Sequence, residues 1–255
     1  MSDSDPCGTL KDLFVPLAGR VYASRHFAHI VYDELALDIF EQIDPAEDWF
    51  DELSEIDLLT SATEAYYCDQ YIRKFLDLHY DGLVVDLNCG LDTLADRNDN
   101  GHANFIEIDK KEVIGLRDKY IYEDERESSI VASIFDDQWI EKVIVEAKDR
   151  SVLIVAMNVF QNYAYDDVMV LLRKLWTIPK VSILFDVEDS PREDGCFYTD
   201  DVETFLSNLA SFQLIEKKDF FEEIEDRKGM KARTKIAMSL SEHNHSRQVL
   251  YCNLF

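Results

Sequence analysis

The residues best suited to chemistry lie in one turn, Asn88-Cys89-Gly90, which directly follows the apolar run Leu83–Leu87. A short apolar run of this kind is typical of a buried parallel strand. A second run, Asn104–Asp109, ends on a carboxylate 19 residues beyond Gly90. In nucleotide-binding α/β folds, a close-approach turn is followed about 20 residues later by an acidic residue that binds ribose. The spacing therefore predicts a site for a ribose-bearing cofactor at the ends of these two strands.

The turn and the carboxylate each leave an alternative open. Gly90 has no Cβ, so backbone amides can approach a ligand there. Asn88 stands where a glycine is usual, and it tolerates a left-handed backbone, but its side chain takes up space beside the ligand. Asp109, with Glu107 on the same face of the strand, can accept hydrogen bonds from ribose hydroxyls, or it can cap a helix that begins at Lys110. The two roles of Asp109 are compatible.

Composition limits the class of protein and of partner. The 255 residues suit one large α/β domain, or a smaller one with a helical appendage. The 26 basic and 52 acidic residues give a net charge of −26, which repels nucleic acid and anionic membranes. We therefore expect no nucleic-acid and no membrane partner.

The cysteines and the N-terminus indicate a cytoplasmic protein. Five cysteines, without paired spacing, fit a reduced compartment better than a disulfide framework. Met1 to Pro6 is polar and acidic, unlike a signal peptide, and no apolar run reaches the ~18 residues of a membrane span.

The first third of the chain has helical periodicity, and the rest alternates between strands and helices. Helical segments are predicted around Leu13, Leu17 and Val21, and at Tyr32–Gln42, Ala46–Leu59 and Thr63–Leu78. Strands are predicted at Leu83–Leu87, Phe105–Ile108, Ile130–Ile134, Val152–Ala156, Val181–Asp186, Phe212–Lys217 and Gln248–Phe255. Helices are predicted between them at Lys111–Tyr120, Asp137–Ala147, Asp166–Leu175, Asp200–Ala210 and Lys228–Ser241.

This alternation predicts a doubly wound, mostly parallel sheet with helices on both faces and a mixed edge at the C-terminus. Residues 1–78 form a helical N-terminal cap in this interpretation, and residues 79–255 form a Rossmann-like domain.

Other chemistry has weaker support in the sequence. His243-Asn244-His245 lacks a cysteine or acidic partner at ligand spacing, so we expect a solvated loop and no metal site. Walker and Gly-x-Ser-x-Gly motifs are absent from the sequence.

The order of motifs over roughly residues 9–175 resembles the leucine carboxyl methyltransferase family, S-adenosylmethionine-dependent O-methyltransferases that include polyketide-biosynthesis enzymes. The resemblance is sharpest at Val85-Asp86-Leu87-Asn88-Cys89-Gly90-Leu91-Asp92-Thr93-Leu94 with Arg97. It also covers Pro16-Leu17-Ala18-Gly19-Arg20, Asp33-Glu34-Leu35-Ala36, Phe105–Asp109, Asp136-Asp137-Gln138-Trp139 and the helix with Val168, Leu171 and Leu172. It implies a class I methyltransferase sheet and S-adenosyl-L-methionine as cofactor.

The resemblance also implies roles for individual residues. Arg20 pairs with the methionine carboxylate of the cofactor. Asn88, Gly90 and Asp92 shape the pocket for its methionine portion. Asp109, with Glu107, holds the ribose. The positions that flank adenine and follow the fourth strand are Ser133, Ile134, Met157 and Asn158.

The methyl acceptor is expected between the N-terminal cap and the loop that follows the fourth strand. Residues there that suit substrate binding are Tyr22, Arg25, Gln161 and Tyr163. The acceptor is a carboxylate or hydroxyl of a small molecule or peptide; a carboxylate needs no general base, and the sequence identifies none for a hydroxyl.

Several positions depart from the family pattern and motivate an alternative. Asn88 stands where the family has its first glycine, and Ser133 stands where it has an acidic residue. Met157-Asn158 takes the place of the family's Glu-Gly pair. The segment Thr63-Glu64-Ala65-Tyr66 lacks the arginine often found there. The alternative is a methyltransferase-like protein that binds a ligand or partner without catalysis. A dehydrogenase is a third possibility, disfavoured because the three-glycine fingerprint is missing.

Overall fold

A computed structural model describes residues 10–43 and 53–255. In the described residues the helices are α1 Leu10–His26, α2 Glu34–Gln42, α3 Glu55–Leu78, α4 Leu94–Asn98, α5 Lys111–Arg117, α6 Asp137–Ala147, α7 Tyr165–Leu175, α8 Val202–Ser207 and α9 Ala232–Asn244. The strands are β1 Leu83–Leu87, β2 Asn104–Asp109, β3 Glu127–Val131, β4 Val152–Ala156, β5 Val181–Glu188, β6 Phe212–Asp219 and β7 Arg247–Leu254.

The strands form one seven-stranded sheet in the order β3-β2-β1-β4-β5-β7-β6. The first five are parallel, and β7 runs antiparallel to both β5 and β6. The strand order reverses between β1 and β4, so the crevice at their carboxyl ends is the topological switch point where open α/β sheets bind ligands. The predicted doubly wound sheet with a mixed C-terminal edge is confirmed.

Alternation along β1 divides the core between the two faces of the sheet. Leu83, Val85 and Leu87 pack with α6 and α7, whereas Val84 faces the opposite way and packs with α3. All five residues of β1 are buried, as expected for a strand covered on both faces.

The N-terminal helices pack tightly on one another and on the sheet. A Cβ at Gly19 would lie 2.5 Å from both Leu58 O and Ser61 Cβ, so α1 and α3 approach at backbone distance. Ile72 and Phe75 of α3 belong to the same apolar cluster as Val84. The division into a cap, 1–78, and a sheet domain, 79–255, stays a prediction.

Two sequence predictions differ from the structure in extent. Ala46–Leu59 and Thr63–Leu78 were expected as separate helices, but one helix, α3, spans 55–78 and begins at a capping box between Ser54 and Asp57. Residues 46–52 lie outside the described residues.

The third strand is displaced from its predicted position. Ile130–Ile134 was expected, whereas β3 ends at Val131. Its first residues are polar because it lies at the exposed edge of the sheet, and this concealed the strand. Beyond it, Ser133 N donates to Asp136 Oδ2 and Phe135 N to Ser133 Oγ, which closes a turn.

The solvated loop expected at His243–His245 is instead a helix end. α9 continues to Asn244, and His245 terminates it in a left-handed conformation, 2.8 Å from Asp219. Within residues 10–43 and 53–255, no helix has the length and apolar character of a membrane span.

The side chain of Trp139, in α6, holds the turn after β3 in place. Its side chain is fully buried and its indole N–H donates to Ile134 O at 2.8 Å. We expect Trp139→Ala to lower the free energy of unfolding, measured by urea denaturation, by about 3–5 kcal/mol. Trp176→Ala is the matched control, since Trp176 is 55% exposed, and it should change stability by about 0.5 kcal/mol or less. Equal losses in the two variants would contradict this assignment.

Candidate functional site

The turn after β1 is bonded directly to the carboxylate that ends β2. Asn88 and Gly90 have φ of 56° and 53°, in the left-handed region that glycine and asparagine tolerate. Gly90 N donates to Asp109 Oδ2 at 3.0 Å, and Lys110 N donates to Asp109 Oδ1 at 2.8 Å. Because an ionised carboxylate has about four lone-pair sites, Asp109 retains acceptor capacity beyond these two bonds.

Gly90 leaves open space above the turn. Among residues 10–43 and 53–255, a Cβ built on Gly90 would meet only Leu13 Cδ2 of α1, at 3.9 Å. Cys89 beside it is buried, and burial raises the pKa of its thiol well above the ordinary value. Cys89 is therefore a small packing residue.

A buried network of arginine and aspartate side chains supports the turn after β1. Its members are Arg20, Asp33, Asp69, Asp92 and Arg97. Arg97 Nη1 donates to Asp92 Oδ1 at 2.6 Å and lies 3.3 Å from Asp33 Oδ2, while its Nε donates to Asp69 at 3.1 Å. Although burial by itself raises them, the neighbouring arginines hold the pKa values of Asp33 and Asp92 below the usual range. The network thus joins the turn to all three N-terminal helical segments.

Arg20 is part of this network and is 1% exposed. Its Nε donates to Asp33 Oδ2 and its Nη2 to Leu91 O, both at 2.7 Å, and Nη1 lies 3.9 Å from Asp92. Two of the five N–H groups of the guanidinium are used in these bonds. Arg20 therefore contacts the turn through its bond to the Leu91 carbonyl and lies beside Asp92.

Two further groups, Arg117 and Glu107, extend the charged region along the strands. Arg117 of α5 bonds Glu107 Oε1 at 2.5 Å and also donates to Asp92 O. Burial raises the pKa of Glu107 to about 7 although Arg117 opposes the shift. Glu107 Oε2 is buried and has no hydrogen-bond partner among the described residues.

Asp86 is a residue that the site prediction missed. It lies in β1 beside Glu107 of β2, and burial, with the charges of Asp92 and Glu107, raises its pKa well above the usual range. A carboxylate in an otherwise apolar buried strand was a signal in the sequence that could have identified it.

Carboxylates outnumber guanidiniums in this region of the molecule. The acidic side chains are Asp33, Asp69, Asp86, Asp92, Glu107 and Asp109, and the basic ones are Arg20, Arg97 and Arg117. Among these described groups, four carboxylates remain beside three guanidiniums even when Asp86 and Glu107 are both protonated. Such a region favours a ligand that carries positive charge.

The residues predicted to flank adenine lie after β3, close to the loop after β4. Ile134 is 1% exposed and packs in the core, while Ser133 is engaged in the turn with Asp136. The next residue, Phe135, meets the ring of Tyr163 edge to face at 5.0 Å. Tyr163 Oη in turn accepts a hydrogen bond from Asn88 Nδ2 at 2.6 Å. One tyrosine thus joins the loops after β1, β3 and β4.

The loop after β4 is fixed by a second buried network, Glu64, Asn158, Gln161, Asp186 and Arg247. Asn158, with φ of 60°, donates its N–H to Asp186 Oδ1 at 2.6 Å, and Gln161 Nε2 donates to Asp186 Oδ2 at 2.6 Å. Arg247 bonds Asp186 at 2.5 Å and Glu64 at 2.8 Å. Gln161 is fully buried, so its side chain points into the protein.

The remaining predicted residues lie on both sides of α1 and beside the sheet. Tyr22 donates to Glu55 Oε1 at 2.9 Å, and burial together with Glu55 raises its pKa to about 12. Tyr22 and Met157 are half-buried against the apolar cluster of α3. Arg25 is exposed and its guanidinium lies over the ring of Phe40 of α2.

A cavity of about 190 Å³ lies between α3 and β6, lined by Tyr66, Tyr67, Gln70, Tyr71, Lys74, Glu216, Lys218 and Glu223. None of the predicted site residues lines it. Within residues 10–43 and 53–255, no group of histidine, cysteine or acidic side chains is arranged to hold a metal ion.

Comparison with known proteins supports the fold and offers one relative in sequence. No family model matches the chain. Over 186 residues it is 26% identical to the tetracenomycin polyketide synthesis O-methyltransferase TcmP of Streptomyces glaucescens. The matched region covers 70% of this chain and 66% of that protein.

Solved structures with the same architecture share little sequence with it. Magnesium protoporphyrin IX methyltransferase of Synechocystis PCC 6803, solved with bound SAM, has a TM-score of 0.52 at 10% identity over 93% of this chain and 97% of that one. A Thermobifida fusca YX structure with a provisional methyltransferase assignment has a TM-score of 0.56 at 14% identity over 99% of both chains. The fold is therefore that of class I Rossmann-like methyltransferases.

The raised pKa of Glu107 makes stability depend on pH. Its pKa is 4.5 in an unperturbed chain and about 7 here, so between these values the folded state holds a proton that the unfolded chain has released. The contribution of Glu107 to the free energy of unfolding therefore falls as pH rises through this window, by about 3 kcal/mol. We therefore expect the free energy of unfolding of Glu107→Gln, relative to that of the unsubstituted protein, to increase by about 3 kcal/mol between about pH 4.5 and about pH 8.

Urea denaturation at a series of pH values measures this difference. Glu141→Gln, at an exposed position on α6, is the control and should give a difference that stays flat with pH. A flat difference for Glu107→Gln as well would contradict the prediction.

Proposed function

We propose that this chain is an S-adenosyl-L-methionine-dependent O-methyltransferase of the leucine carboxyl methyltransferase family. The observation that carries the proposal is the bond between Gly90 N and Asp109 Oδ2 at the switch point of the sheet. It joins the open turn after β1 to the acid that ends β2, which is the pair that a ribose-bearing ligand requires. The identity to TcmP supports the same reading.

The side chains present fit this cofactor. Asp109 keeps free acceptor sites for ribose hydroxyls, and Gly90 leaves room for the methionine portion beside Asn88 and Asp92. The family resemblance assigns Arg20 to its carboxylate, and Ser133, Ile134, Met157 and Asn158 to its adenine and methyl ends. The excess of carboxylates suits a ligand that carries both an ammonium and a sulfonium group.

When bound, the cofactor supplies a methyl group on its sulfonium for direct displacement by an acceptor oxygen. The protein's contribution is to hold the acceptor in line, and good positioning can supply about 7–11 kcal/mol. The two buried networks serve this purpose, because one fixes the turn after β1 and the other fixes the loop after β4.

The acceptor in this proposal is a carboxylate or hydroxyl of a small molecule or peptide. It lies between α1 and the loop after β4, near Tyr22, Arg25, Gln161 and Tyr163. Gln161 acts through Asp186, because its side chain is buried. The net charge of −26 argues against nucleic-acid and membrane partners.

One observation favours a second candidate, a methyltransferase-like protein that binds a ligand or partner without catalysis. Asn88 occupies the usual glycine position, and its side chain is bonded to Tyr163 across the carboxyl edge of the sheet. Arg20 is likewise held by Asp33 and Leu91.

Calorimetry with S-adenosylhomocysteine, the demethylated product, tests the proposal. We expect micromolar binding to the unsubstituted protein. Asp109→Asn should weaken it about 10- to 150-fold, because hydrogen bonds to a charged group are worth about 1.5–3 kcal/mol. Asp137→Asn, an exposed aspartate at the start of α6, is the control and should bind normally. Absence of binding at millimolar ligand would contradict the proposal.

A further inference from the structure

The hydrogen bond between Asn88 and Tyr163 crosses the part of the sheet edge where the cofactor is proposed to bind. Asn88 Nδ2 donates to Tyr163 Oη at 2.6 Å, and the two residues are 75 positions apart in the chain. Asn88 belongs to the turn after β1, and Tyr163 follows the short 3-10 helix Phe160–Asn162 after β4. The bond therefore connects two loops that lie on opposite sides of the switch point.

The ring of Tyr163 extends this connection toward the adenine side. It meets Phe135, the residue that follows Ser133-Ile134, edge to face at 5.0 Å. The three loops that the proposed function assigns to the cofactor are thus joined by one side chain. Its ring and the Asn88 amide occupy the space between the loops.

The backbone around Tyr163 is held by hydrogen bonds to neighbouring segments. Phe197 N donates to Tyr163 O at 2.8 Å, and Ala164 pairs with Cys196 in an antiparallel bridge. Tyr163 N also donates to Phe160 O. Because this backbone is bonded on both sides, Tyr163 clears the edge by rotation of its side chain.

We propose that Asn88 and Tyr163 form a latch that opens by rotation of the tyrosine side chain before the cofactor occupies the edge of the sheet. This inference rests on the proposed function. The closed latch lowers cofactor affinity, because only the open fraction of the protein is competent to bind. A neutral hydrogen bond of ordinary net strength corresponds to about a 2- to 13-fold reduction in affinity.

Two substitutions open the latch in different ways. Tyr163→Phe removes the hydroxyl and keeps the ring against Phe135. Asn88→Gly removes the amide, and glycine adopts the φ of 56° at that position without strain. Tyr165→Phe is the matched control, because Tyr165 also packs on a phenylalanine, Phe197, but lies two residues farther along the chain at the start of α7.

The experiment is titration of all four proteins with S-adenosylhomocysteine by calorimetry, with association rates from stopped-flow fluorescence. We expect Tyr163→Phe and Asn88→Gly each to bind about 2- to 13-fold more tightly than the unsubstituted protein and to associate faster, and Tyr165→Phe to match it. Thermal unfolding confirms that each variant is folded.

The remaining outcomes separate the latch from the proposed function. Equal affinity in the unsubstituted protein and both variants overturns the latch and leaves the methyltransferase proposal standing. Weaker binding by Tyr163→Phe also overturns it, because the hydroxyl would then contact the cofactor. No binding by any of the four proteins overturns both.

Discussion

The buried contact between Arg97 and three aspartates is the interaction on which the rest of the site depends. Asp69 comes from α3, Asp33 from the segment before α2, and Asp92 from the turn after β1. Removing one partner of a buried ion pair typically costs about 3–5 kcal/mol, because the other charge is left without compensation. The arginine therefore holds the N-terminal helices over the sheet and fixes the turn in one position.

The same contact determines the electrostatic character of the carboxyl edge. Arg97, Arg20 and Arg117 compensate the carboxylates nearest to them, which keeps Asp33 and Asp92 ionised despite burial. Asp86 and Glu107 are less well compensated, and their pKa values are raised. The region thus combines fixed geometry with a surplus of acid groups, and both properties suit a cationic ligand.

The sequence was sufficient for the parts of the site that depend on local pattern. β1, β2 and the placement of Gly90 and Asp109 at the ends of these strands follow from apolar runs, turn chemistry and a spacing of 19 residues. β3 was misplaced because its edge position makes it polar. Asp69, Glu64 and Arg247 were not predicted as site supports, since their roles arise from contacts over 28 to 183 positions of sequence that no local pattern encodes. The Asn88–Tyr163 bond, across 75 positions, was hidden for the same reason.

A crystal structure of the chain with S-adenosylhomocysteine would locate the cofactor site. We expect the ligand at the carboxyl ends of β1 and β2, with its ribose hydroxyls within hydrogen-bond distance of the Asp109 carboxylate. We also expect the arginine–aspartate network to keep its contacts in the complex. A ligand bound elsewhere, such as in the tyrosine-lined cavity between α3 and β6, would show that the turn after β1 is not the cofactor site.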